Sequence, residues 1–173
     1  VNGREVRPLE GEWWLDKAFG VFEIGSWVAT GTNKITLKAS PFTIHTELEP
    51  VYVLGDFCLL SQDKGFKLGP SQKLQLGAWA EQGMPFYSDG VSYTMTFPLA
   101  APPAKPKMRY FIELSNWQGS VAEVKVGDRT AGFIAFPPYE LDISDYIDEQ
   151  SDTKINVIVY GTLKNTLGPH HNN

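Results

Sequence analysis

The sequence predicts an all-β protein, folded as an antiparallel sandwich or barrel. Two observations carry this. Apolar residues recur at every second position over several short segments, and no segment sustains a helical period. Glycine, proline, asparagine and aspartate cluster between those segments, which is turn chemistry at the spacing of short strands.

The elements follow in order of their clarity. Val91, Tyr93, Met95 and Phe97 alternate with Ser92, Thr94 and Thr96, which predicts a strand with one face toward a core. Tyr110, Ile112 and Leu114 repeat the pattern, and Ile155, Val157 and Val159 alternate with Asn156, Ile158 and Tyr160. Further strands are expected at 32–38, 42–48, 51–60, 121–127 and 131–135. Ser144–Glu149 reads as one short helical turn, with Ser144 as N-cap and Asp145 near its positive end. Residues 61–72 read as a polar hairpin or connector. Residues 98–107 hold Pro98, Pro102, Pro103 and Pro106, which stiffen the backbone and predict an exposed connection. Gly90 and Gly119 fall where hairpins would need permissive backbone. Asp142 follows two prolines and precedes a turn, where a carboxylate accepts backbone N–H groups.

A faint internal repeat runs through the chain in constant order. Val1-Asn2-Gly3-Arg4-Glu5-Val6 resembles Val126-Gly127-Asp128-Arg129-Thr130-Ala131, Phe22-Glu23-Ile24 resembles Leu141-Asp142-Ile143, and Thr32–Leu37 resembles Thr153–Ile158. Either the copies share ancestry, or two sandwich edges share turn chemistry.

Composition narrows the function classes. The 173 residues suffice for one domain, or one domain and a piece of another, and 42% hydrophobic content indicates a globular chain. A formal charge of −5 without basic clusters argues against nucleic acid and anionic membrane as partners. The longest apolar runs are too short for a membrane-spanning helix. No secretory leader is evident, and the opening Val1-Asn2-Gly3 looks like the start of an excised fragment. The single cysteine, Cys58, lies in Phe57-Cys58-Leu59-Leu60 and is expected to be a buried core thiol. Aromatic residues reach 13%, enough for a sandwich core or a stacking surface for sugars.

Several segments resemble the sugar-binding jelly-roll domain, often called galactose-binding-like, of glycoside hydrolase family two and related bacterial glycosidases. They are Phe86–Phe97, Tyr110–Leu114, Val121–Asp128, Pro137–Ile147 and Ile155–Val159, within residues 79–165. Gly127-Asp128 stands where that family usually carries Asn-Gly, while Val1-Asn2-Gly3 has the usual form. The resemblance implies a jelly-roll β-sandwich at 73–173. It casts residues 1–60 as the closing strands of an upstream jelly roll or as added strands of the same sandwich. It further implies a non-catalytic accessory domain in a bacterial protein of polysaccharide degradation, secreted or periplasmic. The partners expected are a glycan or oligosaccharide and the neighbouring domains of the parent protein. The alternatives are a purely structural interdomain module and a small stand-alone glycosidase.

No catalytic residue, cofactor or metal is assigned. Glycoside hydrolysis needs two carboxylates across a cleft. Among 20 acidic residues a chance pair is easily found. Glu47 and Glu49 would share a strand face and Glu81 lies beside Trp79, but solvated charges explain them. His45 reads as a strand-face residue. His170-His171 follow Gly168-Pro169, and two ligands do not make a metal site. The resembled glycosidases often carry such a segment, and the resemblance implies a role for it at a domain junction of the full protein. The candidate carbohydrate-binding residues are Trp79, Glu81, Asn116, Trp117 and Tyr139. The indoles would stack on sugar C–H faces, Asn116 would donate and accept, and Tyr139 would add a polar-tipped ring. Trp13 and Trp14 are adjacent, so on a strand they face opposite ways and both cannot enter one core.

Overall fold

The computed structural model describes residues 1–47, 51–97, 108–148 and 152–167. Among them the chain is mostly antiparallel β with little helix, in agreement with the alternation. It divides into two compact units, Val1–Val53 and Leu54–Asn173.

The second unit contains the core. Strands β3 (Phe57–Ser61) and β4 (Phe66–Pro70) form a hairpin, closed where the Gln62 N–H donates to the Gly65 carbonyl. The polar segment from Ser61 onward is thus a hairpin turn and its return strand. Four longer strands form one sheet: β5 (Gly90–Phe97), β7 (Val121–Val126), β8 (Arg129–Ile134) and β10 (Thr153–Tyr160), in the order β5-β10-β7-β8. A short pair, β6 (Phe111–Glu113) and β9 (Glu140–Asp142), lies apart from that ladder. A short helix, α1 (Leu163–Leu167), follows β10.

Register explains the core. Val157 pairs with Tyr93 on one side and Val124 on the other, and Val159 pairs with Val91 and Ala122. With a side-chain period of two, this puts Ala122, Val124, Val126, Ile155, Val157 and Val159 on one face, and all six are buried. Ile112, Leu141 and Tyr110 pack against the same cluster, so the β6–β9 pair covers part of that face. The opposite face is polar, with Thr94 bonded to Asn156 at 2.6 Å. There Thr130 donates to Glu123, which together with Lys125 and Tyr160 holds that carboxylate below its ordinary range. The ladder shifts register between Val124 and Lys125, where β8 carries an extra residue.

The first unit is built differently. A small hairpin joins β1 (Trp13–Trp14) to β2 (Asp16–Gly20), and none of the unit's described residues is buried. Trp13 stays 52% exposed, while Trp14 packs on Tyr52 with ring centroids 4.9 Å apart. The strands expected at 32–38 and 42–48 do not form over their described residues, and of 51–60 only Phe57 onward is strand. A strand needs a neighbour to satisfy alternate N–H and C=O groups. At Lys34 those groups are met instead by Asn2, whose N–H donates to the Lys34 carbonyl and whose Oδ1 accepts its N–H. Residues 43–46 close a turn, in which the Thr46 N–H donates to Thr43 O, so exposed His45 lies in a turn rather than on a strand face. Glu47 is exposed, whereas Glu49, the proline-rich 98–107 segment and His170-His171 lie outside the described residues.

Nevertheless each of the two units carries the same set of local contacts at the positions of the sequence repeat, except that Lys34 takes the place of Lys154, one residue out of step with the match of Thr32 to Thr153. Val1 and Arg4 exchange backbone hydrogen bonds across a two-residue turn, as Val126 pairs with Arg129. The Asn2 N–H reaches Lys34 O at 2.8 Å, and the Gly127 N–H reaches Lys154 O at 2.8 Å. The Glu23 carboxylate accepts the Gly25 N–H at 2.7 Å, and Asp142 accepts the Ser144 N–H at 2.9 Å. A 3-10 helix follows in each case, Gly25–Trp27 and Ser144–Tyr146, preceded by Ile24 and Ile143 in similar backbone conformations. Arg4 lies over Trp27 at 4.9 Å, and Arg129 lies over Tyr146 at 4.7 Å. Arg4 to Glu23 spans more chain than Arg129 to Asp142, and the first unit carries the β1–β2 hairpin within that span.

Candidate functional site

The five candidate carbohydrate-binding residues fall on three segments of the second unit. Trp79 and Glu81 belong to a turn that precedes β5, with a 3-10 helix at Ala80–Gln82. Gln82 holds this turn, its amide bonding Gln75 N–H, Gln75 O and Ala78 O. The Leu59 N–H donates to Gly83 O, which ties the turn to β3 above the buried Cys58 thiol.

Trp79 does not present a stacking face. Its indole is 8% exposed and lies in the core cluster. Its Nε1–H donates to Tyr93 Oη at 2.7 Å, and its ring meets Tyr87 edge-on at 6.0 Å. The reason is the register of β5: Tyr93 points to the core face, and its hydroxyl needs a partner once covered, which the indole N–H supplies. Glu81, on the same turn, is exposed.

Asn116, Trp117 and Tyr139 form a second group. The loop after β6 is anchored at both ends, by the Leu114 N–H on Tyr139 O at 2.9 Å and the Ser120 N–H on Tyr160 O at 2.9 Å. Between them Asn116 takes the left-handed conformation, φ 53°, which asparagine tolerates better than most residues. That turn folds Trp117 back over Gly119. A Cβ at Gly119 would lie 2.9 Å from the indole and 2.8 Å from the Val159 side chain, so glycine is needed for close approach rather than for unusual backbone angles. Gly90 is of the same kind, crowded by Ile158 and Tyr160. Trp117 then meets Tyr139 edge-to-face, centroids 5.5 Å apart at 81°. Trp117 is half-buried, Tyr139 is 39% exposed, and Asn116 and Gln118 are exposed.

The Tyr139 loop is fixed from below. Arg109 pairs with Asp142, and Asp142 also accepts from the Ser144 N–H and hydroxyl. The Ser144 hydroxyl and backbone bonds come first, then Arg109, and together they lower the Asp142 carboxyl to about 2. Ser144 is therefore inside the 3-10 helix instead of capping it, and its Oγ accepts the Tyr110 N–H at 2.9 Å. Sequence reasoning passed over Phe136, which is 81% exposed in the same loop as Tyr139. The signal available was an aromatic residue placed directly before the Pro137-Pro138 pair.

The chemistry on offer is one aromatic pair with amide side chains beside it. A surface depression of about 730 Å³ lies on the turn residues Ser61, Gln62, Asp63 and Lys64, apart from the candidates. Among the described residues no group of three or more His, Cys, Asp or Glu is arranged to hold a metal. No helix among them is long and apolar enough to cross a membrane. A scan against protein-family models finds no match, and neither does a search of curated proteins or of solved structures.

Proposed function

We infer that the chain is a non-catalytic accessory module of a carbohydrate-active protein, its second unit a jelly-roll sandwich of the galactose-binding-like kind. In this reading the module contacts glycan through the Trp117–Tyr139 pair, with Asn116 supplying hydrogen bonds to sugar hydroxyls. The observation that carries it is the edge-to-face pair itself, set beside exposed Asn116 and Gln118 on a loop anchored at both ends. An aromatic face with adjacent amides suits a pyranose, whose faces are apolar and whose rim is polar. A single contact of this kind gives a dissociation constant of order ~1 mM, about −4 kcal/mol. Titration calorimetry against a panel of neutral oligosaccharides tests it. Binding to the parent chain and at least a fivefold loss in Trp117→Ala and Tyr139→Ala support the site. Binding that survives both variants refutes the site.

A second reading, a structural module without free-sugar binding, draws on the burial of Trp79 and the half-burial of Trp117. It predicts no glycan binding at all. A third, a small glycosidase, would require turnover of chromogenic glycosides by the purified chain that disappears in Glu81→Gln.

A further inference from the structure

We propose that β5 is a self-association edge: two copies of the chain pair β5 with β5, antiparallel about a two-fold axis at Thr94, and so join their four-stranded sheets into one. The ladder of the second unit shows which backbone groups are turned outward. On β10 the carbonyls of Lys154 and Tyr160 accept the Gly127 and Ser120 N–H groups at 2.8 and 2.9 Å, so its even-numbered residues bond toward β7. Its odd-numbered residues bond toward β5, and just past the strand the Gly161 N–H continues the series onto Asp89 O at 3.4 Å. In an antiparallel ladder, opposed residues either exchange both backbone bonds or neither. Val91, Tyr93, Met95 and Phe97, the partners of those odd-numbered residues, are therefore engaged with β10. Gly90, Ser92, Thr94 and Thr96 turn their N–H and C=O groups to the other side, where β5 has no strand neighbour among the described residues.

The open stretch is centred on Thr94. Gly90 is closed off, because its N–H donates to Asp89 Oδ1 at 2.7 Å and its carbonyl accepts the Tyr87 hydroxyl at 3.2 Å. Ser92, Thr94 and Thr96 remain, evenly spaced about the middle residue. A two-fold axis there sets Thr94 against Thr94 of the second copy and Ser92 against its Thr96, in pairs that each exchange two backbone bonds. The side chains match as well. On the outer face hydroxyl meets hydroxyl, and on the core face Tyr93 meets Met95 and Val91 meets Phe97. Met95 and Phe97 are 50% and 45% exposed, and this pairing covers both.

The two edges of the sheet differ in how they are protected. Sheet edges avoid pairing with one another through charged side chains, proline or bulges. β8, at the opposite edge, opens on Arg129 and faces the register shift between Val124 and Lys125. β5 has none of these devices. Gly90–Phe97 holds no charged residue and no proline, and its ladder with β10 runs without a shift. A charged peptide would meet no counter-charge along it, whereas the strand is complementary to itself in spacing, polarity and side-chain class. The occupant that fits is a second copy of the same strand.

Sedimentation velocity over a range of concentrations tests this on the 173-residue chain and on Thr94→Lys and Thr94→Glu. Thr94 is exposed, and far-UV circular dichroism checks that both variants fold. Residue 94 meets its own copy at the axis, so either variant alone sets like charges opposite each other and should associate at least ~10-fold more weakly than the parent. An equimolar mixture of the two should recover association to within ~3-fold of the parent, as a heterodimer. A parent chain that stays monomeric at ~0.5 mM would overturn the proposal. So would a dimer that neither variant weakens, or losses that the mixture fails to restore. Hydrogen exchange on the unaltered chain gives a reading that does not depend on the variants. The amides of Ser92, Thr94 and Thr96 should slow as protein concentration rises. Protection of those amides in the monomer, with the chain covering its own edge, would overturn the proposal too.

Discussion

Residues 1–38 and residues 126–160 carry the same local contacts, yet only the second set is part of a core. Arg4 over Trp27 and Arg129 over Tyr146 differ by little in distance, and Glu23 and Asp142 make the same backbone contact. The difference lies in what surrounds them. Ile155 sits between Met95 and Val126 in a four-stranded sheet, whereas Ile35 follows Lys34, whose N–H and C=O are both met by the single residue Asn2. Turns, caps and cation–π pairs are satisfied by residues close in sequence or joined by one crossing. A core requires strands from far along the chain, and burial on the scale of a whole side chain comes only with them.

The largest effect expected within this comparison belongs to Trp79. Trp79→Ala should cost about 3–5 kcal/mol in urea-induced unfolding of the second unit, since it opens a cavity and strands the Tyr93 hydroxyl. A cost below about 1 kcal/mol would mean that the indole is not a core residue. Next comes the matched pair. Ile155→Ala should cost about 2–5 kcal/mol and Ile35→Ala less than about 0.5 kcal/mol. Similar costs in the two variants would break the contrast between the units. Arg129→Ala, which removes an exposed arginine from the half-buried Tyr146 ring, should cost about 0.5–1 kcal/mol.

The last effect is confined to acid. The Asp142 carboxyl is lowered from 3.8 to about 2 by Ser144 and then Arg109. Its contribution to stability is therefore complete above pH 3.8 and is lost as pH falls from there through about 2. Asp142→Asn should remove that part of the acid limb while leaving the slope of stability above pH 5 unchanged. An acid limb identical in the variant would show that Asp142 gains nothing on folding.

Much of the second unit was legible in the sequence. Alternation at 155–159 named the buried residues correctly, and at 91–97 it named Val91 and Tyr93, which pack on the core, because a period of two in a half-buried strand leaves few other arrangements; Met95 and Phe97, in the same alternation, stay 50% and 45% exposed. The role of Asp142 was legible for a similar reason, a carboxylate two residues ahead of a turn having a local donor in reach. Trp79 was not legible as a core residue. Its neighbours Gly77 and Gly83 look like a loop, and only the register of β5 shows that Tyr93 awaits it. Residues 32–38 have strand composition, but composition does not report whether a partner strand is present. The Trp117–Tyr139 contact joins two loops that no sequence pattern links, although each residue was singled out on its own context.

The most direct test of the contrast uses two peptide bonds of the same chemistry, Lys34–Ile35 and Lys154–Ile155, whose lysine carbonyls accept from the equivalent turn residues Asn2 and Gly127. Trypsin needs an opened backbone, so initial cleavage rates under native conditions report local opening at each bond. The account predicts that Lys34–Ile35 is cut at least ~100-fold faster than Lys154–Ile155 in the intact 173-residue chain, followed by mass spectrometry. Cleavage of the two bonds at comparable initial rates would contradict it.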